Sequence, residues 1–188
     1  MTVRLTKKQI ANALVNAWMN GVAKDDRIGL LWKGEASVVC SLAHHFRIEI
    51  ADKDDNLRLW HQVYYRKLRP NGRGGLIDLI ICRVAPIKGV ELEYMNPDTL
   101  PVEKHLVAIE LKYARTVDIA KDFEKLGAMR KQLPGILVVF CYVDYSGIEP
   151  TPELKDLKRE SLKHEIPVFY GNTGLPLKWK ILNKKFLS

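Results

Sequence analysis

The sequence predicts one mixed α/β domain over residues 1–188, a central mixed sheet flanked by helices. Three observations carry this. Residues 6–46 repeat their apolar positions at helical intervals. From Trp60 onward, apolar and β-branched runs of strand length take over. Those runs then alternate with helix-like stretches, in the order helix, helix, three strands, helix, strand, helix, two strands.

The first helix opens at Thr6, which has capping-box spacing to Gln9. It continues through Ile10, Leu14, Ala17 and Trp18 to a stop at Gly21. A second helix covers about 28–46, with Val38, Val39, Leu42 and Phe46 on one side, and 51–56 is a polar loop. The first strand, 60–69, leads through a hairpin loop at 70–75, where Asn71-Gly72 is the turn signal. Residues 76–82 are almost wholly apolar, the mark of a strand covered on both faces. The stretch 85–103 holds Pro86, Pro97, Pro101 and several acids, and reads as an insertion or long loop before a strand at 106–113.

A helix at about 117–131 puts Ile119, Phe123 and Leu126 on one face, and 136–143 is the most apolar segment, hence a central strand. Thr151-Pro152-Glu153 opens another helix, with Thr as N-cap and Pro at the first helical position. A short strand at 166–170 and an edge strand at 177–181, its lysines outward, complete the chain.

Composition narrows the function. A hydrophobic share of 47% and a charged share of 28% suit a soluble globular protein. No apolar run approaches the roughly 20 residues needed to span a membrane, and the first residues lack the apolar core of a secretory signal. A cytoplasmic location and no membrane partner are expected. The formal charge of +8 suits a polyanionic partner, since each cation set against phosphate releases counterions. A basic surface serving solubility fits the same number. Cys40, Cys82 and Cys141 lie far apart in apolar stretches without C-x-x-C spacing, which argues for reduced, buried thiols.

The chemistry-bearing residues stand out against this background. Asp78 interrupts a run that is otherwise apolar, and a carboxylate inside a buried strand is costly unless a cation or several donors meet it. Glu110 and Lys112, two apart on a strand, emerge on one face. Two carboxylates completed by phosphate oxygens and waters suit Mg2+, and an adjacent ammonium can orient water or offset charge on phosphate. Acid-x-Lys also occurs at Glu153-Leu154-Lys155 and Asp156-Leu157-Lys158, but in a polar helical segment where residues two apart diverge. Glu35 continues the apolar stripe of the second helix and so faces inward, although an acid favoured by the helix dipole fits the same place.

An acidic helix residue, a hairpin whose second strand carries Asp, a Glu-x-Lys strand, then a helix and a buried strand resemble a known core. It is the α-β-β-β-α-β unit of the PD-(D/E)XK nuclease superfamily, the restriction-endonuclease-like fold, matched over roughly residues 30–144. The resemblance implies a Mg2+- or Mn2+-dependent nuclease hydrolysing phosphodiester bonds in DNA. It casts Asp78 and Glu110 as metal-binding acids, Lys112 as the catalytic lysine and Glu35 as the accessory helix acid at the metal. The chain departs from the pattern in having Ile77 where Pro is common, and in the long interval from Asp78 to Glu110, which requires 85–103 to loop out.

Two other readings stay open: a nucleic-acid-binding protein of the same fold with little or no activity, and a structural ion-pair network. Arg66, Lys67, Arg69 and Arg73 flank the hairpin, and Arg115, Lys121 and Lys125 flank the site's helix. These bases are candidates for gripping a nucleic-acid backbone. On that helix Asp118, Lys121, Asp122 and Lys125 are further site candidates, with solvated pairs one turn apart the preferred reading. DNA against RNA, strandedness and assembly, a homodimer included, stay open.

Overall fold

The computed structural model describes residues 4–31, 34–50, 53–54, 56–65, 75–85, 102–113, 118–145, 153–173 and 178–187. Its first helix, α1 (Lys7–Asn16), starts as expected: the Thr6 hydroxyl accepts from the Gln9 N–H, and the Gln9 side chain accepts from the Thr6 N–H. It does not stop at Gly21. A π-helical turn (Ala17–Val22) and α2 (Ala23–Arg27) continue it. Gly21 serves close approach instead, since a Cβ there would lie 2.2 Å from Cγ of His45. The true stop is Gly29, at φ +77°. The Gly29 N–H bonds the Asp26 carbonyl and the Leu30 N–H bonds that of Asp25, which together make a Schellman cap.

The next helix, α3, therefore runs Glu35–Ile50 rather than 28–46, and Glu35 is its first residue. Val38, Leu42 and Phe46 are fully buried along one stripe. Cys40 sits two positions from Val38 and from Leu42, about 200° round the helix, and is exposed, whereas Cys82 and Cys141 are buried as expected.

Among the described residues six strands form one mixed sheet, in the spatial order of the sequence. They are β1 (Leu57–Tyr65), β2 (Gly75–Val84), β3 (Val102–Tyr113), β4 (Leu137–Asp144), β5 (Val168–Asn172) and β6 (Lys180–Leu182). β1–β2, β2–β3 and β5–β6 pair antiparallel. β3–β4 and β4–β5 pair parallel, joined by α4 (Ile119–Gln132) and α5 (Glu153–His164). β3 begins at Val102, inside the stretch read as loop, while residues 70–74 of the proposed hairpin loop at 70–75 and all of 86–101 lie outside the described residues. At the edge, β6 starts at Lys180, and that lysine lies 5.1 Å from the Tyr170 ring centroid rather than simply facing water.

Each face of the sheet carries its own core. Leu79, Ile109, Leu111, Val139 and Phe169 pack on Leu14, Trp18, Leu42 and Phe46 of the N-terminal helices. Ile80, Ala108, Phe140 and Tyr142 pack on Phe123, Leu126 and Leu157 of α4 and α5. Covering both faces explains why β4 is buried along its whole length. Buried side chains of this size each contribute roughly 1.5–3 kcal/mol. Arg83 and Asp54 add a buried tie, with Nη2 2.7 Å from Oδ2. Leu5 joins through its carbonyl to Arg83 and its N–H to Asp54. Among the described residues no helix is long and apolar enough to cross a membrane.

Candidate functional site

The β2–β3 register builds the site. Leu79 opposes Ile109 and Ile80 opposes Ala108, and Asp78 and Glu110 follow directly beyond the Leu79–Ile109 pair. Glu110 and Lys112 share the sheet face covered by α4, because strand side chains repeat every two residues, and the charge of Asp78 reaches both. The Leu111 N–H donates to Oδ2 of Asp78 at 2.7 Å, which fixes that carboxylate.

Glu110 is 2% exposed. Its Oε1 takes Nζ of Lys125 at 2.5 Å and of Lys112 at 3.4 Å, whereas Oε2 is buried without a hydrogen-bond partner. Lys125 is pinned further by donating to the Leu76 carbonyl at 2.7 Å. The Nζ of Lys112 reaches two more acids, Glu35 from the start of α3 and Asp122 from α4, each at 3.9 Å. The backbone amide of Tyr113, at the end of β3, lies close enough to Glu35 to draw its carboxyl down.

The electrostatics follow from burial and crowding. Burial, then the neighbouring charge of Asp78, pushes the Glu110 carboxyl up to about 7, against the pull of Lys125 and Lys112. Burial likewise raises Glu35 and Asp122, partly offset by Lys112. For Lys112, burial favours loss of the proton, but Glu110, Asp122, Glu35 and Asp78 outweigh it and hold the lysine above its ordinary value. At about 4 Å and an effective dielectric of 20, one such pair is worth about 4 kcal/mol, enough to fix the ammonium charge.

All four sequence candidates, Glu35, Asp78, Glu110 and Lys112, thus meet at one place. Asp122 and Lys125, read from sequence as a solvated pair, turn inward and belong to the same cluster. The signal was present, because Asp122 lies three residues after Ile119 and four before Leu126, on the apolar stripe itself. Lys121 does not join them; it is exposed and pairs with the N-cap Asp118 at 2.6 Å. Arg66, Lys67, Arg69, Arg73 and Arg115 lie outside the described residues. The decoy acids stay apart: Glu153 opens α5, and Asp156 pairs with Arg159 at 2.7 Å.

Among the described residues, no three of His, Cys, Asp and Glu are gathered as a ready metal-ligand set. A smaller donor set fits a hard divalent ion. Asp78 lies close enough for its charge to raise the Glu110 carboxyl, and Glu110 offers a buried oxygen without a partner. Mg2+ commonly takes only one or two carboxylates and fills the remainder with water and phosphate. The chain is an α/β protein with an open six-stranded mixed sheet and a buried acid–lysine cluster at one sheet face. Comparison with family models, with curated proteins and with solved structures gives no match.

Proposed function

We propose that this chain is a Mg2+- or Mn2+-dependent nuclease that hydrolyses phosphodiester bonds in DNA, on a restriction-endonuclease-like core. The observation that carries the reading is a charge imbalance. Among the described residues, four carboxylates, Glu35, Asp78, Glu110 and Asp122, face two ammoniums, Lys112 and Lys125. When all are ionised, two negative charges are in excess at a partly buried site. A self-contained ion-pair network has no use for that excess, whereas one divalent cation cancels it.

Asp78 and Glu110 would hold the ion, with Glu35 helping directly or through water. The chemistry expected of it is Lewis acidity toward the attacking water and the scissile phosphate. Lys112 keeps its proton and orients the nucleophile while offsetting charge that develops on phosphate oxygens. Lys125 holds Oε1 of Glu110 and so aims the carboxylate. The two lysines on one carboxylate oxygen favour a second reading, in which they hold the acids structurally and the protein binds nucleic acid with little or no cleavage.

Cleavage assays separate the two. Wild-type protein should cut DNA with Mg2+ or Mn2+ and not with EDTA. Asp78→Asn and Glu110→Gln should each lower activity by roughly 100-fold or more. Lys112→Ala should do likewise while leaving metal binding largely intact. Glu153→Gln should change almost nothing. Full activity in Asp78→Asn, or equal losses at Glu110 and Glu153, would sink the assignment. Binding without cleavage on any substrate would leave the second reading.

A further inference from the structure

Beside the acid–lysine cluster, on the opposite side of β3, lies a cleft of about 370 Å³. Its walls include Asp26, Ile28, Gly29, Leu31, Tyr113 and Thr173. Tyr113 follows Lys112 directly, so their side chains leave the strand on opposite faces while their backbones share one peptide. The ring of Tyr113 stacks on that of Tyr145, with centroids 5.4 Å apart and planes 20° from parallel. Tyr145 is 47% exposed, and Ile28 and Leu30, at 63% and 57%, extend the apolar surface into solvent.

Two features tie this surface to the cluster. Glu35 lies between the two, its carboxylate 3.9 Å from Nζ of Lys112 and close enough to the Tyr113 backbone amide to be drawn down by it. Both tyrosines stand at the C-terminal ends of parallel strands, β3 and the residue after β4. In open α/β sheets that end is where ligands collect. A flat aromatic pair beside Ile28 and Leu31, with Asp26 and Thr173 as polar neighbours, suits the face of a nucleobase, and a base can reach it only when it has left its duplex stack.

We propose that Tyr113 and Tyr145 stack an unpaired base of the DNA strand whose phosphate lies against Lys112. The preferred substrate would then present single-stranded character at the cut, as a flap, an overhang or a frayed end. The inference rests on the nuclease reading and specifies the substrate class for the same site. A duplex buried in its own stacking has no face to offer the tyrosines.

The test compares Mg2+-dependent cleavage of a single-stranded oligodeoxynucleotide, a duplex of the same sequence and a duplex with a single-stranded overhang. The wild type should favour the first and third by roughly tenfold or more. Tyr145→Ala should raise KM on those substrates by roughly 5- to 150-fold, the range of one lost base–aromatic stack, with a smaller effect on kcat. Tyr145→Phe should restore most of the loss. Fluorescence of 2-aminopurine beside the cut should be quenched on binding wild type and stay bright with Tyr145→Ala. Tyr113 is half-buried, so Tyr113→Leu, which keeps the packing, stands in for the alanine variant. Leu162→Ala, an exposed apolar change on α5, should leave cleavage as it was. Equal cutting of duplex and single strand, with Tyr145→Ala unaffected, overturns the base-stacking inference and leaves the nuclease standing. Absence of metal-dependent cleavage on every substrate overturns both.

Discussion

Glu110→Gln should make the protein more stable above neutral pH while lowering the proposed nuclease activity. The carboxyl titrates at about 7 in the folded chain, against an ordinary value of 4.5. An acid raised on folding binds its proton more tightly in the native state, so native protein holds more protons between those two values. Stability therefore falls as pH rises from about 4.5 to 7, and the full penalty is present above 7. At 1.36 kcal/mol per pH unit, it amounts to about 3 kcal/mol. Glutamine has the same shape and still offers Oε1 to Lys125, but it cannot ionise. Chemical denaturation of both proteins at pH 5 and pH 8 measures the difference. A difference below about 1 kcal/mol is expected at pH 5, with the variant ahead by about 2–3 kcal/mol at pH 8. Saturating Mg2+ should raise the wild type at pH 8 and not the variant, because a cation at Glu110 favours its ionised form. A variant that is less stable at pH 8, or whose difference from wild type ignores pH, would refute this account of the site.

Asp54→Ala should destabilise the fold by about 3–5 kcal/mol, since it strands the buried Arg83 guanidinium, whose Nε already lacks a partner; thermal or urea unfolding reads it directly, and a loss below 1 kcal/mol would show that the pair is well hydrated. DNA affinity should fall steeply with added salt, as backbone-dominated binding does. A titration that is flat from low to physiological salt would point away from a phosphate-gripping surface.

The site was legible to the extent that it obeyed period two. Asp78 stood out because every neighbour in its strand was apolar, and Glu110 with Lys112 had to share a face. The pairing of β2 with β3 then converted two separate motifs into one cluster. Asp122 and Lys125 were harder to read, because a charged helix position can face water or a buried partner, and only the docking of α4 over Glu110 decides. Local glycine signals misled at one place. Gly21 and Gly29 look alike in sequence, but Gly21 makes room for His45 and Gly29 takes the left-handed turn, a distinction set by α3. The start of β3 was missed because Val102–His105 is largely solvent-facing and has no apolar rhythm until it pairs with Cys82, Arg83 and Val84. The stacked tyrosines were not singled out, since their partnership crosses two strands.

The strand order runs strictly with the sequence, yet the first helical run is closed by residues from the far end of the chain. The indole of Trp18 is fully buried, donates to the Tyr170 carbonyl, and lies 5.0 Å from the ring of Trp179, which in turn donates to Asp26. During synthesis the sheet can grow strand by strand from β1, each pairing with the one before it. The apolar side of the leading helices stays partly uncovered until Trp179 arrives. The molecule is thus assembled like a zip with a clasp at its end, and docking of the clasp should be among its last steps. The coupled indoles give that step its own optical signature: near-ultraviolet circular dichroism from the Trp18–Trp179 pair should appear later in refolding than the far-ultraviolet signal of the sheet.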